Sequence, residues 1–476
     1  MKKVLLGTTA LLAAGMFAGP ALGQARTAMT ATNFNLSLGG FTTFNAWYQT
    51  AYPGTNTETG TDNPRNLAFG FDAELEFRGA ATLSNGVKVG WEIELEAGGT
   101  EPKNNKFCSL VAPLSSTVRS NASCADYIDD NFMYLDGRLG KVTLGGVGEP
   151  GGYAISAPRT YTSASGISLN DDAGDALAVA GSNRASFTNT VSVNAGRNRV
   201  IYEAPAMNGF RLMIAYAPDL ALENTIGTTQ NDDVGEANND MHIQGAWAGS
   251  VGGNRLRFSL AYGTSAAENK DSTATMVSAN TRWRLGADYQ IGALTLGGHY
   301  RKALRNAVSV LQDEDVKVWG IGATYTMGVW EFGAGYEKAT TEQLGDAAVA
   351  AVAAVAATPG NVGTPAVTAV AANAAGTGED TAVRWDVGVN YTGLGSGRTL
   401  RLGLRQQDWK DNNVDPDHQS KVRSIDAVYD WTVGPGVAFS VGYTNYRYTH
   451  HTGLDATDTQ ATRTAHGINV QTKFSF

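Results

Sequence analysis

The chain has 476 residues, 42% hydrophobic and 17% charged, with 57 glycines and a formal net charge of −9. The charged share is below the ~25% of average soluble domains, and the glycine share is above the usual ~7%. The negative balance argues against a nucleic-acid binder, and no internal run approaches the ~20 apolar residues of a membrane helix.

Lys2 and Lys3 precede an apolar run from Val4 to Ala18, and small residues follow from Gly19 to Ala25. A basic start, a short apolar core and small residues before a cut predict a secretory signal peptide over residues 1–25. Cleavage is expected after Ala25, with Gly23 as the alternative. No lipobox cysteine stands at this junction. The mature part is then 26–476.

A first strand is expected near Leu36 to Tyr48, followed by a polar loop from Gln49 to Asn66. The next stretch, Leu67 to Ala97, reads LAFGFDAELEFRGAATLSNGVKVGWEIELEA. Leu67, Phe69, Phe71, Leu75 and Phe77 alternate with Asp72, Glu74, Glu76 and Arg78. After Ser84-Asn85-Gly86, Val87, Val89, Trp91, Ile93 and Leu95 alternate with Lys88, Glu92, Glu94 and Glu96. Strand side chains point alternately to opposite faces, so one face is apolar and the other charged. Asn-Gly between two such runs is a hairpin signal. A soluble sandwich could hold one such hairpin. Repeating it along the whole chain requires lipid outside and water inside, with every backbone polar group paired around a closed sheet.

Cys108 and Cys124 share the loop from Gly98 to Ala125. An exported chain meets an oxidising compartment, which predicts a disulfide between them. The alternative, metal or redox chemistry, lacks a second cysteine pair and a nearby histidine. A second hairpin spans Asp130 to Val147 and turns at Gly137-Arg138-Leu139-Gly140. Then come about fifty residues, Gly148 to Asn198, rich in Gly, Ser, Ala and Asn; loops this long are usually functional or disordered. Tyr153, Ile155, Tyr161, Ile167, Leu169, Leu177, Val179 and Phe187 are scattered through it and available to pack on an inner wall. The segment is therefore expected to fold inward as a constriction loop. Its acidic residues, Glu149, Asp171, Asp172 and Asp175, would face arginines across water. A disordered surface loop is the competing reading.

Asn198 to Pro218 gives another hairpin, turning at Met207-Asn208-Gly209. Later short turns centre on Gly252-Gly253, Gly292, Met327-Gly328, Gly395 and Pro435-Gly436. Between them lie longer polar segments: Asp219–Asp240, Thr264–Asn280, Leu304–Asp315, Thr340–Asp380, Asp408–Ser420 and Tyr446–Arg463. Within 340–380 the Ala/Val-rich run from Ala347 to Ala375 is low complexity, read as a surface loop without chemistry. Short turns alternating with long loops predict an all-β fold, a transmembrane antiparallel β-barrel of about 18 strands, with 16 as the alternative.

The inward faces carry the charge. Asp72, Glu74, Glu76, Glu92, Glu94 and Glu96 form an acidic arc. Arg211, Arg255, Arg257, Arg282, Arg284, Arg301, Arg384, Arg401 and Arg405 form a basic one. Charges lining a low-dielectric cleft focus the field across it and bias which ions pass. Trp47, Tyr48, Tyr216, Tyr262, Tyr300, Tyr336, Tyr391, Trp431 and Tyr443 are expected on the lipid face near strand ends, as in an aromatic girdle. His450-His451 is adjacent in an expected surface loop; on a strand the two would point apart, in a loop they could chelate jointly, and the expectation is no metal site and no cofactor. The last ten residues, GINVQTKFSF, put Ile468, Val470, Phe474 and Phe476 on one face.

With the export signal, the alternating strands and the terminal aromatic, the chain resembles the Gram-negative outer-membrane porins of the general diffusion type. The most family-like pieces are NFMYLDGRLGKVTLGG (131–146), NRVIYEAPAMNGFRLMIAY (198–216) and the closing KFSF. The resemblance implies an outer-membrane channel for passive diffusion of small hydrophilic solutes and ions, embedded in outer-membrane lipid and assembled as a homotrimer. It implies that Gly148 to Asn198 is the loop that enters the barrel, and that Phe474 and Phe476 form the signal read by the barrel-assembly machinery. The family commonly has 16 strands, and its acidic motif beside Gly-Gly is approached here only by Glu149-Pro150-Gly151-Gly152. A substrate-specific channel, for carbohydrate for example, is the alternative. An outer-membrane enzyme or an adhesin fits less well: no Gly-x-Ser-x-Gly elbow is present, and no His is placed beside a Ser and an acid on one wall.

Overall fold

The computed structural model describes residues 31–50, 67–96, 128–147, 153–156, 197–219, 237–267, 279–306, 313–344, 379–411, 418–450 and 461–476. They form β1 (Ala31–Gln49), β2 (Leu67–Leu83), β3 (Lys88–Glu96), β4 (Ile128–Gly137), β5 (Gly140–Val147), β6 (Arg197–Glu203), β7 (Phe210–Asp219), β8 (Ala237–Val251) and β9 (Asn254–Ala267). There follow β10 (Ala279–Ile291), β11 (Leu294–Asn306), β12 (Asp313–Met327), β13 (Trp330–Leu344), β14 (Glu379–Tyr391), β15 (Arg398–Asp411), β16 (His418–Gly434), β17 (Val437–His450) and β18 (Ala461–Ser475).

Each strand pairs antiparallel with its neighbours in the chain, and β1 pairs β18 from Phe41 opposite Ser475 to Gln49 opposite Gly467. The sheet is closed at 18 strands. Closure leaves no edge, which lipid demands because it offers no partner to an unpaired N–H or C=O. Among the described residues no helix is long and apolar enough to cross a membrane.

Tight turns gather at one end. Asn208 and Gly209 have φ of 51° and 85°, and Gly252 and Gly253 have 59° and 82°. Two consecutive positive-φ residues match the right-handed twist of the flanking strands, which is why Asn-Gly and Gly-Gly stand there. The strands run further toward the other end than polarity suggests. β13 continues to Leu344, β15 to Asp411 and β17 to His450, through residues that read as loop in the sequence. Above the lipid the outward face turns polar while the backbone ladder continues, so the alternation disappears before the strand does. Strands β3 to β7 hold 7–10 residues and the others 13–19, so one side of the wall is low. The long segment after β5 leaves from that low rim.

The polarity is inverted relative to a soluble domain. Leu36, Phe69 and Ile321 face outward and are 69%, 66% and 57% exposed, whereas Gln244, Glu337 and Asn469 face inward and are fully buried. The aromatic belt contains cross-strand pairs: Trp283 with Tyr300, Trp319 with Tyr336, and Trp330 with Tyr391 at a centroid distance of 4.3 Å. One expected member does not belong to it. Tyr48 is on the lipid face, so Trp47, its neighbour, points into the barrel. There its ring covers Gly70, where an ideal Cβ would lie 2.8 Å from the indole.

Candidate pore lining and constriction

Register decides which side chains share the lumen. Pairing of Asp72 with Thr43, of Glu76 with Glu94, and of Arg78 with Glu92 puts these side chains on the inner face. Glu74 opposes Glu96 in the same ladder. Glu74, Glu76 and Glu94 bring carboxylate oxygens within 4.8 Å of one another. Oxygen ligands of this kind suit a hard cation, and equally supply fixed negative charge to a water-filled wall. Arg78 bridges the two strands, 2.5 Å from Glu76 and 2.9 Å from Glu92. The acidic character continues on β4 with Asp136, opposite Lys88.

The opposite arc is built differently from a row of bare arginines. Arg255, Arg257, Arg282, Arg284, Arg301, Arg384, Arg401 and Arg405 all fall on the inner face of β9–β11, β14 and β15, and Arg211 on that of β7. Arg257, Arg384 and Arg401 meet carboxylates on the adjacent strand, and Arg282 of β10 reaches across β9 to one on β8. Arg257 holds Asp288 through two nitrogens, at 2.9 and 2.5 Å. Arg282 donates to Asp240 at 2.7 Å, Arg401 lies 2.9 Å from Asp430, and Arg384 is bonded to Glu337. His299 Nε2 also lies 3.2 Å from the Glu337 carboxylate, with both side chains almost wholly buried. A buried arginine without a partner carries a large desolvation cost, so the wall supplies anions strand by strand. Sequence reasoning missed Asp240, Asp288, Glu337 and Asp430. Each stands in phase with the arginines on its own strand or the next, and that inner-face phase is the signal that could have found it.

The segment after β5 lies against the inner wall where it is described. Tyr153 packs on Ile201, Met213 and Ala215, inner-face residues of β6 and β7, and beside Val147. Its hydroxyl donates to Glu203 Oε2 at 2.9 Å, and the Arg211 guanidinium sits 5.6 Å from its ring centre. Two residues later the chain is clasped by β9 and β10. The Ile155 N–H donates to Ser259 Oγ at 3.0 Å. Arg284 Nη2 donates to the Ile155 carbonyl at 3.0 Å and to Ser156 Oγ at 2.9 Å. Gly286 makes room: an ideal Cβ there would stand 2.1 Å from the Ile155 oxygen. Only a residue without a Cβ lets the segment's backbone approach so closely.

Cys108, Cys124, Glu149, Asp171, Asp172 and Asp175 lie outside the described residues, as do residues 1–25 and 347–375. The side chain of Glu96 is likewise outside the description. At the seam, Phe474 is on the lipid face and opposes Thr42. Phe476 exchanges two backbone hydrogen bonds with Gly40, at 3.2 and 3.1 Å.

A closed barrel with an apolar exterior, a charged interior and a chain segment on its inner wall is an outer-membrane channel for diffusion. The family follows from the sequence: the model described as Gram-negative porin matches residues 7–358, and the chain belongs to that family. No curated protein matches the sequence. Among solved structures the chain is similar to the anion-selective porin from Comamonas acidovorans, at 16% identity and a TM-score of 0.44, covering 93% of this chain and 100% of that one. It is also similar to OpdQ of Pseudomonas aeruginosa, at 11% identity and 0.48, covering 92% and 97%. The outer membrane channel DcaP of Acinetobacter baumannii matches at 13% identity and 0.42, covering 94% and 99%.

Proposed function

We propose that the channel is a general diffusion pore for small hydrophilic solutes and ions, narrowed by Gly148–Asn198. The supporting observation is the clasp at Ile155, where the loop's backbone is bonded to the inner faces of β9 and β10. Asp171, Asp172 and Asp175, further along the loop, add negative charge to the opening. The carboxylates of β2 and β3 and the arginines of β7–β15 set a transverse field that orients solutes during passage. The protein carries out no chemistry on what passes. Residues 1–25 are removed on export, Cys108 and Cys124 are joined, Phe474 and Phe476 are read during assembly, and the barrel works as a homotrimer in outer-membrane lipid.

The test is removal of Ala164 to Ala180 followed by single-channel recording. A larger conductance and weaker discrimination between cations and anions are expected. Unchanged values for both, in a correctly folded barrel, overturn the constriction.

A further inference from the structure

Three aromatic rings inside the barrel carry a cation of the chain's own. Lys141 Nζ sits 5.1 Å from the ring centre of Tyr134, the Arg211 guanidinium 5.6 Å from that of Tyr153, and Lys473 Nζ 3.9 Å from that of Phe41. Trp47 also points into the barrel, and among the described residues no cation lies over its ring. The indole is half-buried, so part of it meets the lumen. Tryptophan offers a cation the strongest ring face of the aromatic side chains, yet this one is left without a partner.

The surroundings of that ring are electron-rich. Its far edge reaches β2 over Gly70, where an ideal Cβ would lie 2.8 Å from Cη2 and 2.9 Å from Cζ3. Asp72 is two residues further along the same face of β2, a step of about 7 Å. Its side chain is exposed to the lumen, and among the described residues it has no ion pair. Lys473 shares its row, with Thr43 between them, but its ammonium is turned over Phe41. The other neighbours are neutral amides: Asn45 opposite Gly70 and Asn469 opposite Trp47. Asn469 is wholly buried and its amide has no hydrogen-bond partner at either atom; Asn45 Oδ1 has none either. Buried polar atoms without a partner are rare in a stable fold, and two of them flank this one ring.

We propose that Trp47 and Asp72 form a subsite in the lumen for organic ammonium cations. The alkyl groups of the ammonium rest on the indole face, and its charge lies beside the Asp72 carboxylate. A quaternary ammonium suits this pairing, because it presents apolar surface and positive charge together and recognition of such groups is the functional use of an aromatic face. A small inorganic cation has no apolar surface to set against the ring. Glu74 and Glu76 continue from Asp72 down the same face of β2, so the cation approaches along a wall of one sign. A hydroxyl carried by the solute both donates and accepts, which is what the unpartnered amides lack. The proposal rests on the reading of the barrel as an open diffusion pore and names a class of solute that the pore retains.

The experiment records single channels of the full barrel in potassium chloride while choline is titrated in. The control is the neutral isostere of choline, in which carbon replaces the ammonium nitrogen. Choline is expected to interrupt the current at a concentration at least ~10-fold lower than the isostere. W47L keeps an apolar side chain without a ring and is expected to raise the half-blocking concentration of choline at least ~5-fold, whereas W47F, which keeps a ring, raises it less. D72N is expected to raise it as W47L does. Equal half-blocking concentrations for choline and the isostere overturn the proposal. A wild-type value in W47L also overturns it, since the acidic wall alone then holds the cation. If W47L does not fold, G70A takes its place: its methyl group displaces the indole and is expected to weaken the block, and an unchanged block overturns the proposal. A folded barrel without conductance steps in potassium chloride overturns the open pore and this subsite with it, whereas steps without a preference for choline overturn the subsite alone.

Discussion

Replacing Gly286 by alanine tests how the inward segment is held. An ideal Cβ at this position lies 2.1 Å from the Ile155 oxygen and 2.9 Å from its carbonyl carbon. The segment must retreat by about 1 Å to reach ordinary van der Waals separation. A retreat of that size carries the bonds from Ile155 to Ser259 and from Arg284 to Ile155, each 3.0 Å long, beyond hydrogen-bond reach. A neutral bond contributes about 1 kcal/mol and a charged one about 1.5–3, so the clasp loses roughly 2.5–4 kcal/mol. That corresponds to a fall in the docked population, relative to the undocked one, by a factor of roughly sixty to several hundred. The barrel ladder is spared, because Gly286 keeps its backbone pairing with Ser259 and His299. The assay is single-channel recording in planar bilayers. G286A is expected to raise the mean conductance or to add open-channel flicker. S259A, which removes one acceptor, is expected to shift the traces in the same direction by less. A G286A trace that superimposes on the wild type, from protein with normal heat-modifiable mobility, refutes the clasp.

Deleting Phe476 removes both its aromatic side chain and its two backbone bonds to Gly40, and is expected to lower the amount of folded barrel in the membrane while leaving secretion intact; normal levels of heat-modifiable barrel would count against this. E337A leaves the buried Arg384 without its carboxylate, which should cost about 3–5 kcal/mol of stability, read as a lower denaturant midpoint in detergent; an unchanged midpoint contradicts that burial. Cys108 and Cys124 are expected to give no free thiol on titration of protein folded in the cell, and two titratable thiols rule the bond out. Converting Glu74, Glu76 and Glu94 together to glutamine removes three fixed negative charges from one wall and is expected to move the reversal potential toward anion preference, with no shift sinking their electrostatic role.

The strand number was readable because each tight turn carries its own local chemistry. Asn208-Gly209 and Gly252-Gly253 need positive φ, and only a few residue types provide it cheaply. Facing was readable because alternation has a strict period of two, and it failed where the period was ignored: Trp47 and Tyr48 cannot share a face. Loop boundaries were harder, since residues such as Thr340 and Asp408 continue a strand above the lipid, where polarity no longer alternates. The inner-wall ion pairs depend on register between distant positions. Arg282 and Asp240, or Arg384 and Glu337, are more than forty residues apart, so their meeting is a property of the closed sheet. The clasp lay further still from local pattern: Ile155 meets Ser259 and Arg284 across more than one hundred residues. A glycine in the middle of β10 was its only local trace.

Single-channel conductance of the purified protein in a planar bilayer, over a series of salt concentrations, tests the central claim most directly. A water-filled lumen narrowed by one loop predicts discrete, near-ohmic steps that scale with bulk conductivity, and larger steps once Ala164 to Ala180 is removed. A folded barrel that inserts without conductance steps contradicts the account.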